Sequence, residues 1–247
     1  MNKTKAMARD LITVDISGGC DSTAICLLYK ERGIDFEMLF ADTGAELPEN
    51  YWFLPRLAKY LGKKLNVVSN GGMFLWLVKQ GFFLPSARAR WCTRILKIFP
   101  MTQFHGNEPY SHAIGIRADE PNRVKSEEEW SKGEEILYPL VEAGMDKKEV
   151  KRLCEKHGML NPVYDWRTSL SCFCCPFQRL QDWKNLYTNH PDLFMVAEEW
   201  ERMSNRGEGS FNWRNDCWSL KAIREAESRQ LFLFQEKDEE ACIICGR

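Results

Sequence analysis

Residues 17 to 22 read Ser17-Gly18-Gly19-Cys20-Asp21-Ser22, between the apolar run Leu11-Ile12-Thr13-Val14-Asp15-Ile16 and the helix-like Thr23-Ala24-Ile25-Cys26-Leu27-Leu28. Strand, glycine turn and helix N-terminus therefore follow in order. Two adjacent glycines let the backbone approach a ligand closely, and the unpaired N–H groups of a first helical turn favour an anion there. The segment reads as a phosphate cradle. It is neither Gly-x4-Gly-Lys-[Ser/Thr] nor Gly-x-Gly-x-x-Gly, so the two commonest nucleotide loops do not describe it.

The flanking pattern predicts an α/β fold with a mostly parallel twisted sheet flanked by helices. Phe36-Glu37-Met38-Leu39-Phe40-Ala41 reads as a second strand ending at Asp42-Thr43-Gly44, and Lys64-Leu65-Asn66-Val67-Val68-Ser69 as a third. Tyr51 to Leu61 has helical spacing, with Pro55 placed near its first turn or at a kink. Trp91 to Phe104 reads as a helix interrupted or ended around Pro100, and His112-Ala113-Ile114-Gly115-Ile116 as a strand delivering Arg117-Ala118-Asp119-Glu120. Ser126 to Glu135 is charged and reads as a solvated loop, and the pattern turns helical after Asp146, with Val150, Leu153, Cys154 and His157 on related turns. In such sheets ligands bind beyond the carboxyl ends of the strands, where Ser17 and Asp42 fall. We expect residues 1–140 to form the nucleotide-binding α/β core and 141–247 a helical, cysteine-rich extension packed on the same domain.

At 247 residues the chain can bury a substantial core, and 34 Lys and Arg against 35 Asp and Glu give no global positive field. No run of about 18 uninterrupted apolar residues occurs, so a cytoplasmic protein with no membrane partner is expected. Ten cysteines in such a protein point to metal or redox chemistry rather than disulfides. Cys172 and Cys175 form one Cys-x-x-Cys pair, before Pro176, and Cys242 and Cys245 form a second. Two such pairs suit a tetrahedral zinc site or an iron–sulfur cluster. Cys26 and Cys154 fall on apolar helical faces and read as core thiols. The four histidines show no paired ligand spacing, and the tryptophans of the second half, among them Trp183, Trp200 and Trp213, read first as core.

Five segments in order, from Ser17 to about Gln178, resemble the phosphoadenosine phosphosulfate (PAPS) reductase family of the PP-loop ATP pyrophosphatases, over roughly two-thirds of the chain. They follow the loop 17–22: Asp42-Thr43-Gly44-Ala45-Glu46-Leu47-Pro48-Glu49-Asn50-Tyr51; Arg90-Trp91-Cys92-Thr93-Arg94-Ile95-Leu96-Lys97; Gly115-Ile116-Arg117-Ala118-Asp119-Glu120; Tyr138-Pro139-Leu140; and Asn161-Pro162-Val163-Tyr164 leading to Cys172-Phe173-Cys174-Cys175-Pro176. Within the family they look most like the phage-borne and DNA-phosphorothioation-related branch. The resemblance implies an adenine nucleotide α-hydrolase-like fold and a cofactor that is ATP or an adenosine phosphosulfate-type nucleotide with Mg2+. It assigns nucleotide contacts to Ser17, Gly18, Gly19, Cys20, Asp21, Ser22, Asp42, Thr43 and Gly115, and catalysis to Asp21, Arg94, Lys97 and Arg117. Asp21 is expected either to cap the following helix or to approach the magnesium ion, and the arginines and Lys97 to neutralise phosphate charge.

Family members with a [4Fe–4S] cluster carry an adjacent Cys-Cys pair ahead of a lysine and a proline. Aligned on Lys97 and Pro100, Cys92 takes the first position and Thr93 the second. The resemblance thus implies Cys92, Cys172 and Cys175 as ligands of a [4Fe–4S] cluster, or alternatively of Zn2+, with Cys174, Cys242 or Cys245 as the fourth. The expected activity is adenylation at the α-phosphate of ATP with pyrophosphate release, in an iron–sulfur-dependent sulfur transfer such as DNA phosphorothioation or tRNA thiolation. Its partners would be an adenine nucleotide, a sulfur-donor protein and a nucleic-acid acceptor. One alternative is a sulfonucleotide reductase releasing sulfite. The family tail for that activity is Glu-Cys-Gly-Leu/Ile-His, whereas Glu240-Ala241-Cys242-Ile243-Ile244-Cys245-Gly246-Arg247 lacks the adjacent glutamate and the final histidine. The other alternative is a non-catalytic, zinc-containing nucleotide-binding protein.

Overall fold

The computed structural model describes residues 11–106, 110–124, 135–205, 211–214 and 218–228. Five strands, β1 (Leu11–Asp15), β2 (Glu37–Asp42), β3 (Leu65–Ser69), β4 (Tyr110–Ala113) and β5 (Glu135–Leu137), form one parallel sheet in the order β3-β2-β1-β4-β5. Thr13 pairs with Glu37 and His112, and Ser111 with Glu135. The central position of β1 puts the loop that follows it at the middle of the sheet's carboxyl edge, as the alternating pattern predicts.

Helix α1 (Cys20–Arg32) is buried from Ser22 to Tyr29, which explains its apolar residues on every side. Gly33 ends it in the left-handed conformation, φ 65°, donating back to Tyr29 and Lys30 carbonyls. Helix α2 (Pro48–Leu61) begins three residues earlier than its periodicity predicts, with Pro48 as its first residue. Pro55 is consequently interior and not in the first turn. The helix Lys147–Lys156 follows the expected start at Asp146. Asp146 Oδ1 accepts from Lys148 N (2.8 Å) and Glu149 N (2.9 Å), and Glu149 Oε2 accepts from Asp146 N (2.8 Å). This capping box contributes about 1 kcal/mol and aims Val150, Leu153 and Cys154 inward.

The predicted helix from Trp91 does not end at Pro100. Helix α3 (Trp91–Thr93) continues as a π-helical stretch, Arg94–Ile98, and then as α4 (Phe99–His105). Proline lacks an N–H and crowds the carbonyl four residues back, here Leu96, so the wider turns fall on the segment just before it. The predicted strand 112–116 is displaced to Tyr110–Ala113, and Gly115 and Ile116 leave the sheet. The charged segment 126–134 lies outside the described residues, and Glu135 begins β5.

The chain divides into two compact units, each made of separated stretches: Met1–Ala41, Phe53–Val68 and Met101–Leu160 in the first, Asp42–Trp52, Ser69–Pro100 and Asn161–Arg247 in the second. Val14, Ile25, Leu27, Met38, Leu57 and Cys154 lie at the core of the first unit. Leu47, Leu77, Leu96, Trp183, Phe194 and Trp213 do so in the second, where the expected core role of Trp183, Trp200 and Trp213 is met. Each fully buried Leu or Ile contributes about 1.5–3 kcal/mol. Among the described residues no helix is long and apolar enough to cross a membrane.

Candidate functional site

In the first unit the backbone turns from β1 into α1 through Gly18, whose φ of 80° is one that L side chains rarely adopt. Gly19 is the residue preceding the helix, and no side chain caps it. The turn is tied by its own serines: Ser17 N donates to Ser22 Oγ (3.2 Å), Ser22 Oγ to Gly19 O (3.3 Å) and Gly19 N to Ser17 Oγ (3.3 Å). Cys20 is half-buried, and its carbonyl accepts from Cys154 Sγ at 3.5 Å. Cys26 and Cys154 are fully buried, as expected of core thiols.

Gly115 closes the other side of this turn. A Cβ there would stand 3.0 Å from Asp21 Cβ, 3.2 Å from Ser22 N and 3.3 Å from Asp21 C. Only glycine lets the 114–117 loop pack on the helix start. That loop delivers Arg117, which pairs with Asp21 (2.9 Å), Asp119 (2.9 Å) and Glu120 (3.2 Å). Asp21 therefore does not cap α1; it sits in the first turn and takes the guanidinium. Burial raises the pKa of Asp21 above the usual carboxylate range, Arg117 opposing and Glu120 adding to the rise. The turn, the glycine packing and a cation ringed by three carboxylates suit a phosphate chain accompanied by Mg2+: backbone N–H groups for the anion, oxygen ligands for the hard cation.

In the second unit, Asp42 Oδ1 accepts from Gly44 N (2.8 Å) and from Tyr51 Oη (2.7 Å). Thr43, buried, is engaged with the cysteine loop: its Oγ1 donates to Glu46 Oε1 (2.8 Å) and lies 3.3 Å from Cys172 Sγ. Cys172 Sγ also lies 3.7 Å from Glu46 Oε1. Burial and the Glu46 carboxylate push the Cys172 thiol up, with Lys97 pulling it down. Burial disfavours the charge of Lys97, but Cys172, Glu46, Cys175 and Cys92 outweigh it and hold the ammonium above its usual range. Burial likewise raises Cys92, with Cys175 adding and Lys97 opposing, and raises Cys174, with Cys172, Cys175 and Cys92 adding. Arg94 stands apart on the exposed side of the π-helical stretch.

The structure thus brings Ser17 to Ser22, Gly115 and Arg117 together in one unit, and Thr43, Lys97, Cys92, Cys172, Cys174 and Cys175 together in the other. The donor set of the second group, four thiols, is that of a soft metal or an iron–sulfur cluster. Among the described residues, however, no three Cys, His, Asp or Glu side chains stand closely enough to share one ion as they lie. Cys242 and Cys245 lie outside the described residues. Glu46, Arg167 and Gln178 were not singled out by spacing. Glu46 lies in the acidic segment after Asp42 and touches Cys172; Gln178 Nε2 donates to the carbonyls of Cys172 (3.4 Å) and Phe173 (2.7 Å).

The phosphoadenosine phosphosulfate reductase domain family matches residues 12–178, which contain both groups. The chain belongs to that family. Its relatives include an uncharacterised protein of Methanocaldococcus jannaschii, 25% identical over 229 residues, covering 87% of this chain and 46% of that protein. Another is an uncharacterised protein of Escherichia phage 186, 23% identical over 261 residues, covering 80% of this chain and 78% of that protein. The chain spans less than half the length of the archaeal relative. The PAPS reductase of Candida auris, in a phosphate complex, has the same fold, with a TM-score of 0.51, 17% identity, and 65% of this chain and 80% of that chain covered. Members of this family bind adenine nucleotides.

Proposed function

We propose that the chain is an ATP-consuming sulfurtransferase of the PAPS reductase family. The observation that carries this reading is the turn 17–22 at the carboxyl end of the central strand, backed by Gly115 and by the Asp21–Arg117 pair. Gly18, Gly19 and the first amides of α1 hold phosphate oxygens, with Ser17 and Ser22 adding hydroxyls. Asp21 is the residue proposed to approach Mg2+. An acceptor oxygen attacks the α-phosphorus, the bond to the bridging oxygen breaks, and pyrophosphate leaves with that electron pair. A sulfur nucleophile then displaces AMP from the adenylated acceptor. Positioning and neutralisation of charge carry most of the rate in such a transfer, and Arg94, Lys97 and Arg117 are the proposed cations. The acceptor class proposed is nucleic acid, as in DNA phosphorothioation or tRNA thiolation.

Cys92, Cys172 and Cys175, with Cys174, Cys242 or Cys245, are the proposed sulfur-handling group. An iron–sulfur cluster bound there would hold or relay sulfide. The family match also favours a second reading, release of sulfite from a phosphosulfate nucleotide.

The test combines two measurements on anaerobically purified full chain. Iron, zinc and acid-labile sulfide per chain are determined first, and AMP and pyrophosphate are then followed with ATP, Mg2+, a sulfide source and either tRNA or DNA. About four irons and four sulfides with acceptor-dependent AMP release is the expected result. Sulfite from PAPS with a thiol, and no ATP turnover, would replace this reading by the reductase. Zinc without sulfide, tight AMP binding and no turnover of either nucleotide would leave a binding protein.

A further inference from the structure

Arg167 is only 3% exposed, yet among the described residues it makes no ion pair. A guanidinium stays charged in a protein, so burying one without a carboxylate at hand is costly and calls for a compensating arrangement. Asp182, a carboxylate whose charge acts on Arg167, is taken by Thr168, whose N and Oγ1 both donate to Asp182 Oδ1 at 3.1 Å. The fork of Arg167 goes to a single residue instead. Nη1 donates to Ser171 O (3.3 Å) and Nη2 to Ser171 Oγ (3.0 Å), while Nε–H is buried with no acceptor.

Ser171 immediately precedes Cys172, and its Oγ lies 3.4 Å from Cys172 O. The next residues are pinned in turn. Gln178, 6% exposed, donates to the carbonyls of Cys172 and Phe173; Phe173 N donates to Ala45 O (2.9 Å); and Cys175 N donates to Cys172 O (3.1 Å). Arg167 itself is rooted, its N donating to Val163 O (2.9 Å) at the 3-10 turn Pro162–Asp165, and Asn161 Oδ1 caps that turn by accepting from Val163 N (3.1 Å). A neutral side chain could make the same two bonds to Ser171 without burying a full charge. Burial disfavours the Arg167 charge, and Asp182 first, then Cys175, Cys172 and Cys174, oppose that.

We infer that Arg167 is a positioning residue for the cysteine loop: through Ser171 it fixes Cys172, Cys174 and Cys175 as one group. This rests on the proposed sulfur-handling role of those cysteines. Arg167 touches no reacting atom. Residues of this kind set ligand orientation, and their loss lowers metal affinity by about 10–100-fold.

The test uses the full chain, kept reduced and stripped of metal with a chelator. Iodoacetamide labelling is followed at each cysteine by peptide mass spectrometry, and Co2+ is titrated while the thiolate-to-cobalt absorption is recorded. In Arg167→Met, Cys172 and Cys174 are expected to label about tenfold faster and the cobalt band to need at least tenfold more metal. Cys26 and Cys154, in the core of the first unit, stay protected and report that the chain is folded. Arg167→Lys keeps a cation but not the two-pronged donor, and does not restore the protection. Ser171→Ala removes one acceptor and gives the same change in smaller degree, so it decides the matter should Arg167→Met fail to fold. Labelling and cobalt titrations indistinguishable from the parent in Arg167→Met, or labelling unchanged in Ser171→Ala when only that variant folds, overturn the inference. A parent chain with no thiolate-to-cobalt band overturns the metal part of the proposed function instead, and the labelling pattern alone then decides the role of Arg167.

Discussion

Arg117 Nη1 donates to Asp21 Oδ2 at 2.9 Å, joining the loop after β4 to the first turn of α1 across 96 residues of sequence. Asp119 and Glu120 hold the same guanidinium, so its removal leaves Asp21 and Asp119 without it and Glu120 with Arg123 alone. Arg117→Met is therefore expected to destabilise the chain by about 2–3 kcal/mol, below the cost of breaking a fully buried pair because Asp21 and Asp119 keep partial contact with water. Adding Asp21→Asn to that variant is expected to recover about 1 kcal/mol of the loss. Urea denaturation of the two single variants and the double variant measures the coupling; strict additivity would refute it.

Gly115 has no such slack. Its neighbours at 3.0 to 3.3 Å include backbone atoms of Asp21 and Ser22, which cannot swing away as the tip of a side chain can. Gly115→Ala is expected to cost about 1–3 kcal/mol through overpacking, and to shift the amides of the turn. Calorimetric titration with ATP and Mg2+ should show affinity lowered by about tenfold, a loss of roughly 1.4 kcal/mol. An unchanged affinity would mean that the turn does not hold the nucleotide.

The loop 17–22 was legible because its information is local: a β run, two glycines and a helix start within a dozen residues. Boundaries were less so. Pro55 marks a turn in most contexts, but Pro48 supplies the better helix start and leaves Pro55 inside α2. Pro100 signalled an interruption without revealing that the chain would absorb it as a π-helical stretch and continue. The partners of the cysteines were the least visible. Thr43 and Cys172 are 129 residues apart, and nothing in the spacing of either predicts that they meet. No sequence pattern singles out Arg167 or Gln178, and charged and amide side chains are seldom buried. Their burial is a tertiary fact.

Two carboxylates give opposite pH dependences. Burial raises Asp21 above 3.8 despite Arg117, so the folded chain binds this proton more tightly than the unfolded chain. Its contribution is complete below 3.8 and is lost as the pH rises through the raised value. For Glu49, burial also pushes upward, but hydrogen bonds from His190 (2.8 Å) and Trp166 (3.0 Å) and from its own backbone amide leave it below 4.5. That contribution is complete above 4.5 and is lost as the pH falls through the lowered value. Asp21→Asn should therefore gain stability relative to the parent as the pH is raised from about 3 to about 7, while Glu49→Gln should lose it over the same range. Urea midpoints at several pH values test both signs; parallel curves for either variant would refute that assignment.

Glu201 carries a structural prediction for the second unit. It is 3% exposed, and its two carboxylate oxygens accept from separate backbone groups, Oε1 from Trp213 N (2.9 Å) and Oε2 from Leu220 N (2.7 Å). Both donors belong to fully buried residues, and Trp213 Nε1 also donates to Ala197 O (2.8 Å) one turn earlier on the helix Pro191–Ser204 that carries Glu201. Removing the carboxylate strands two buried N–H groups, each costing about 1–3 kcal/mol, so Glu201→Ala is expected to destabilise by about 2–5 kcal/mol. Glu201→Gln keeps one acceptor oxygen and replaces the other with a donor facing a donor, so it should recover less than half of that loss. Tryptophan fluorescence during urea unfolding reads the change directly, because Trp200 and Trp213 pack together with ring centroids 6.4 Å apart. A Glu201→Gln variant as stable as the parent would show that one of the two bonds does not matter to the packing of this unit.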